Sequence, residues 1–298
     1  MVIVFSVDNK FSMPLGVALT SLFSNKKGEY EIKVYVLDGG IDKINKEKLK
    51  VIEDTYGFQI NYIDMLNYDL SSFPELGRLN ACSYYRLLAP EIIPEDKIIY
   101  LDCDTVVLDD LNKIFEKEIN NENIISAVAD LGEKDKIKYF FRPINGYFNA
   151  GVMVIDCGAY RKDDVFKKAL DFVNLNKKAI KYADQDILNH LLEGRWLRLD
   201  DAYNVQQDNY QPPISADIKV LHYTGAVKPW HYSYENKMKK YFTDFLRKTP
   251  WEDYAYPDKN IKKVFLKAIK IIIRFLVPSA VFIEIMENYA LITNQKEK

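Results

Sequence analysis

Two periods alternate along this chain, and that alternation limits what it can fold into more than any other feature. Over the first two-thirds of its 298 residues, apolar runs of strand length take turns with segments whose apolar residues recur at helical spacing. Val2–Val7 reads as a buried strand. Ser12 followed by Pro14 reads as a helix start, continued by Leu15, Ala18, Leu19 and Leu22. A strand is expected next at Ile32–Leu37, a helix at Asp42–Tyr56 and a strand at Gln59–Ile63. Strand and helix in strict alternation require right-handed crossovers, and so a largely parallel α/β sheet. Further strands are expected at Lys97–Leu101, Ile125–Ala129, Gly151–Asp156 and Ile218–Leu221.

Hydrophobic residues make up 48% of the chain, enough for one large domain with or without an appendage. A formal net charge of -2 leaves no electrostatic footprint for nucleic acid as a partner. The three cysteines are an odd number without CxxC spacing. They point away from a disulfide framework or zinc site and toward a reducing cytoplasm. MVIVFSVDNK lacks the basic lead and cleavage site of a signal peptide and reads as a first strand.

The composition shifts near residue 250, which divides the chain into a main domain at 1–250 and a basic, apolar helical segment at 251–298. In Asn260–Val277, Lys263, Lys267, Lys270 and Arg274 are spaced by four, three and four, one stripe on a helix. Such a helix is too interrupted to span a bilayer. It would either lie peripherally on the inner face of the cell membrane or pack on the domain with its lysines solvated.

The segment richest in chemistry is Ile98-Ile99-Tyr100-Leu101-Asp102-Cys103-Asp104, an apolar strand that ends in two carboxylates one residue apart. Alternation along a strand lets both project to one side, at the sheet edge where α/β folds bind ligands. Two carboxylates so close repel unless a cation lies between them, and hard oxygen ligands suit Mg²⁺ or Mn²⁺. An Asp-x-Asp alone is a weak signal, and its place after an apolar run strengthens it.

The second segment is Val220-Leu221-His222-Tyr223-Thr224-Gly225-Ala226-Val227-Lys228-Pro229-Trp230. A lone histidine closing a strand is more often structural than a ligand. Here Gly225 permits close approach of backbone to a ligand, and Lys228 supplies a point charge suited to phosphate. A nitrogen ligand among oxygens would tilt the choice of ion toward Mn²⁺.

Asp102-Cys103-Asp104, His222-x-x-Gly225-x-x-Lys228, Tyr147-Phe148-Asn149-Ala150-Gly151 and Asp184-Gln185-Asp186-Ile187-Leu188-Asn189 together resemble the signature set of glycosyltransferase family 8. The resemblance runs from residue 1 to about 245. It implies a GT-A, Rossmann-like fold that binds a UDP-sugar and retains the donor's anomeric configuration. It implies Asp102, Asp104 and His222 as ligands of Mn²⁺ or Mg²⁺, and Gly225 and Lys228 as the diphosphate grip. Val7, Asp8 and Cys103 fall in the nucleotide-binding set. Arg86, Asn149, Ala150, Asp184 and Gln185 would surround the transferred glucose or galactose, with Gln185 nearest the anomeric carbon. Without a ligand, Arg86 could simply pair with an acid and Asp184 could cap a helix. Lys10 departs from the family pattern, which has asparagine there to hold the ribose, and could reach a phosphate instead. The acceptor would be a glycan, glycolipid or glycoprotein. Among rivals, a nucleotidyltransferase is disfavoured because Val7–Ser12 contains no glycine. A non-catalytic UDP-sugar-binding protein and a membrane-surface adaptor remain open.

Overall fold

The computed structural model describes residues 1–76, 81–119, 122–132, 146–208, 217–256, 258–261, 263–265 and 269. Ten strands are present among them: β1 (Val2–Val7), β2 (Lys33–Asp38), β3 (Ile60–Asp64), β4 (Lys97–Leu101), β5 (Thr105–Val107), β6 (Ile125–Ala129), β7 (Phe148–Asp156), β8 (Trp196–Arg198), β9 (Val205–Gln206) and β10 (Val220–His222). The helices are α1 (Ser12–Ser24), α2 (Lys43–Tyr56), α3 (Ala81–Ile92), α4 (Asn112–Glu116), α5 (Cys157–Lys162), α6 (Val165–Asn176), α7 (Ala183–Leu191) and α8 (Lys239–Leu246).

Seven strands form the central sheet in the order β3-β2-β1-β4-β7-β6-β8. Only β7 runs against its neighbours, so the sheet is mainly parallel, as the alternating pattern requires. Helices cover both faces, which is why β1 and β4 are apolar at nearly every position rather than at every second one. A smaller sheet, β5-β10-β9, pairs β10 antiparallel to β5 and sets His222 opposite Thr105. That register carries a histidine distant in sequence to the end of the Asp-x-Asp turn.

Local chemistry explains the element ends. The Asp42 carboxylate accepts from Asn45 N at 2.7 Å and starts α2, and Gly57, at φ 69°, ends it in the left-handed conformation. On α2, Leu49 and Ile52 turn inward. On α1, Gly16 lies under the ring of Trp251, where a larger residue would not fit. The expected strands at Ile32–Leu37 and Gln59–Ile63 each sit one residue further on, the one expected at Ile218–Leu221 is Val220–His222, and β7 begins three residues before Gly151.

Residues Met1–Lys228 and Asn236–Tyr254 form one compact unit. Pro229–Glu235 and the described residues from Ala255 onward form a second. In the second unit the Asp258 carboxylate accepts from Ser233 N at 3.1 Å and from Lys263 Nζ at 2.8 Å. Lys263, first of the basic stripe, is therefore ion-paired, while Lys267, Lys270 and Arg274 lie outside the described residues. No helix among the described residues is long and apolar enough to cross a membrane.

Candidate active site

Strand β4 ends at Leu101, and Asp102, Cys103 and Asp104 form the turn into β5. One ligand atom from each of Asp102, Asp104 and His222 lies within 4.8 Å of the others. His222 Nε2 stands 3.3 Å from Asp104 Oδ1 and 3.7 Å from Asp102 Oδ2. The close approach depends on Gly151, where an added Cβ would fall 2.2 Å from His222 Cε1 and 2.8 Å from Asp102 Oδ2. These residues fit a divalent cation. Asp104 Oδ1 is buried without a hydrogen bond of ordinary geometry, and a ligated ion would satisfy it.

Two cations brace the carboxylates. Lys228 Nζ donates to Asp104 Oδ2 at 2.5 Å and to the Tyr223 carbonyl at 2.6 Å. Burial pushes the Asp104 carboxyl up, but Lys228 and His222 outweigh it and hold the group well below the usual carboxylate range. Arg86 projects from α3, stacks 4.6 Å above the Tyr100 ring and donates to Asp102 Oδ1 at 2.8 Å and to the Ala150 carbonyl at 2.7 Å. Its Nε is also 2.9 Å from Asp184 Oδ2. One buried guanidinium thus serves two carboxylates. Burial pushes Asp184 up to about 7, and Arg86 only partly opposes it.

Asp184 is not a helix cap. It lies inside the first turn of α7 and is 4% exposed, with Tyr182 in the cap position. The turn is strained, since Ala183 holds φ at 49°, a conformation that costs a non-glycine residue about 1–3 kcal/mol. Asp186 holds it there, accepting from Lys181 N at 2.7 Å and Tyr182 N at 2.8 Å while Tyr147 Oη donates to its other oxygen. From this turn Asp184 reaches Arg86 and Gln185 reaches the backbone of Ala150.

A relay of amides links α7 to the histidine. Gln185 Oε1 accepts from Ala150 N, and its Nε2 donates to Asp130 Oδ2, both at 3.1 Å. Asn149 Nδ2 donates to the same Asp130 oxygen at 3.1 Å, while Asn149 Oδ1 accepts from Gly151 N at 3.0 Å and Asn204 Nδ2 at 2.9 Å. Asn204 Oδ1 then meets His222 Nδ1 at 3.0 Å. Sequence reasoning missed Asp130, Asn204 and Tyr100. For Asp130 a signal existed, since it closes the apolar strand β6 much as Asp102 closes β4.

The remaining predicted residues lie at the end of β1 and in the loop after β10. The Val7 carbonyl accepts from Gly39 N at 2.8 Å, and Asp8 Oδ1 accepts from Phe11 N at 3.1 Å. Asn9 bonds to Asp42 and Asn45, which ties this turn to α2 and leaves Lys10 exposed. The Cys103 thiol donates to the Ser6 carbonyl at 3.2 Å and burial pushes its pKa far up, so only its backbone is offered to a ligand. Gly225 holds φ at 81°, as a close backbone approach in that loop requires.

Comparison with known proteins identifies the family. The chain is 28% identical to General stress protein A of Bacillus subtilis over 279 residues, which span 87% of this chain and 97% of that protein. It is 26% identical to a lipopolysaccharide 1,2-glucosyltransferase of Escherichia coli over 289 residues, 90% of this chain and 84% of that one. The crystal structure of galactosyltransferase LgtC in complex with donor and acceptor sugar analogues superposes with a TM-score of 0.74 at 30% identity, over 85% of this chain and 99% of that one. The fold is therefore GT-A. The Glycosyl transferase family 8 model matches residues 2–234, and the chain belongs to that family.

Proposed function

We propose that this glycosyltransferase is a retaining, metal-dependent hexosyltransferase. It takes glucose or galactose from a UDP-sugar and passes it to a hydroxyl of a glycan, glycolipid or glycoprotein in the cytoplasm. One observation carries the reading: two carboxylates and an imidazole converge within 4.8 Å beside the ammonium of Lys228. Asp102, Asp104 and His222 would hold the cation, and the nitrogen in that set favours Mn²⁺ over Mg²⁺. A cation there would neutralise the charge that builds on the departing diphosphate, the largest electrostatic contribution available to such a site.

The rest falls to the chain's own groups. Lys228 is placed to exchange part of its bond to Asp104 for a phosphate oxygen. Gly225 would give the backbone room beside the diphosphate, and Asp8 would meet the uracil. Arg86 and Asp184 wall the sugar pocket, and Asn149 with the Ala150 backbone lines it. Both ends of the Gln185 amide are tied, so it can support the cationic sugar but is a poor nucleophile. We therefore favour attack on the face the diphosphate leaves, with the departing phosphate taking the acceptor's proton.

The test is UDP release from a panel of UDP-sugars, with Mn²⁺ and again with chelator. Release from one sugar, lost on chelation and in Asp104→Asn, supports the proposal and names the hexose. UDP binding without turnover, even when acceptors are supplied, supports the non-catalytic binding protein. A sugar adduct trapped on Gln185 or Asp184 would overturn the same-face mechanism.

A further inference from the structure

We propose that Asn204 is a positioning residue that decides which nitrogen of His222 faces the metal. The inference rests on the metal-dependent reading above and deepens it. Amide ends are assigned from their partners, and here the assignment is anchored twice. Gly151 N can only donate, so the atom 3.0 Å from it is the Asn149 oxygen. An ionised Asp130 can only accept, so the other end of Asn149, 3.1 Å away, is its NH₂. Asn204 must then donate to Asn149 Oδ1 at 2.9 Å, and its own oxygen is left facing His222 Nδ1 at 3.0 Å.

An oxygen in that position requires a hydrogen on Nδ1. Nε2 is therefore the nitrogen able to present a bare lone pair, and it points at Asp102 and Asp104. Turning either amide over would set two oxygens or two N–H groups against each other inside a buried site, since Asn149, Asn204 and His222 are 6%, 2% and 4% exposed. Asn204 lies in the short helical turn Asp201–Asn204 just before β9, and β9 pairs with β10, so the smaller sheet holds it against the histidine. Partners of this kind fix tautomer and ring orientation in ligated histidines, and losing one typically costs about 10–100-fold in metal affinity.

The experiment compares wild type with Asn204→Leu, which keeps the branching at Cγ but cannot accept a hydrogen bond. Nitrogen-15 spectra of histidine-labelled, metal-free protein in mildly alkaline buffer report which ring nitrogen bears hydrogen, and His222→Gln assigns the resonance among three histidines. We expect Nδ1 to bear a hydrogen in wild type. In Asn204→Leu the hydrogen moves to Nε2, toward Asp104. Calorimetric titration with Mn²⁺ should then show affinity falling by about 10–100-fold. A wild-type spectrum with hydrogen on Nε2 alone would overturn the inference even if the variant failed to fold. Equal Mn²⁺ affinity in both proteins would overturn it and leave the proposed function standing. No Mn²⁺ binding by wild type would overturn both.

Discussion

Replacing Gly151 by alanine tests whether a missing side chain builds the site. Gly151 lies within the nine-residue strand β7 and is not among the glycines with positive φ, so alanine meets no backbone penalty there. Its Cβ, however, would stand 2.2 Å from His222 Cε1, while ordinary contact begins at 3.4 Å. The imidazole must withdraw by about 1.2 Å, because Asp102 Oδ2 at 2.8 Å closes the other side. Overpacking of this kind costs about 1–3 kcal/mol, partly offset by the roughly 0.5–1 kcal/mol that glycine loses in a strand. The fold should survive with a modestly lower Tm. Metal ligation will not, because ligand distances tolerate only about 0.2 Å and a 1 Å misplacement costs on the order of 100-fold. Mn²⁺ titration and Mn²⁺-dependent UDP release should both fall by about that factor. A folded Gly151→Ala protein with unchanged Mn²⁺ affinity would refute the reasoning.

Other substitutions probe separate parts of the account. Arg86→Lys cannot serve Asp102 and Asp184 together from a single ammonium. Leaving one buried carboxylate unpaired should cost about 3–5 kcal/mol in urea denaturation, along with activity. Gly16→Ala, which in an open helix would gain about 1 kcal/mol, should instead lose about 1–3 kcal/mol because its Cβ would meet Trp251 Cζ3 at 2.5 Å. Asp109 is hydrogen-bonded by Lys27 and by the backbone N–H of Asp110, which hold its carboxyl at about 2 against an ordinary 3.8. Because the folded value lies below the unfolded one, the stability it contributes is complete above about pH 4 and fades as the pH falls through about 2. Asp109→Asn should lower stability near neutrality and flatten acid unfolding within that window.

The parallel core was legible because buried strands leave long apolar runs. Lys97–Leu101 and Ile125–Ala129 fall where that pattern put them, and Asp42 announced the start of α2. Strands β5, β8 and β9 were not legible, since segments of three, three and two residues carry no periodicity. The site divides in the same way. Asp102, Asp104, His222 and Lys228 stand in two short segments whose spacing is itself chemical. Asp130 and Asn204 are single polar residues that acquire meaning only when the sheet brings them to Asn149 and His222. Asp184 was open to a second reading because an acid early in a helix looks like a cap. The strained backbone at Ala183 and the reach of Arg86 decide the matter, and neither can be read from composition or spacing.

The most direct test of the central claim is anomalous diffraction at the manganese edge from crystals grown with Mn²⁺ and UDP. One strong peak is expected, bounded by Asp102, Asp104 and His222, with the UDP diphosphate completing its coordination and Lys228 turned toward a phosphate oxygen. Bound UDP with no anomalous peak at these three side chains, or with the peak elsewhere, would contradict it.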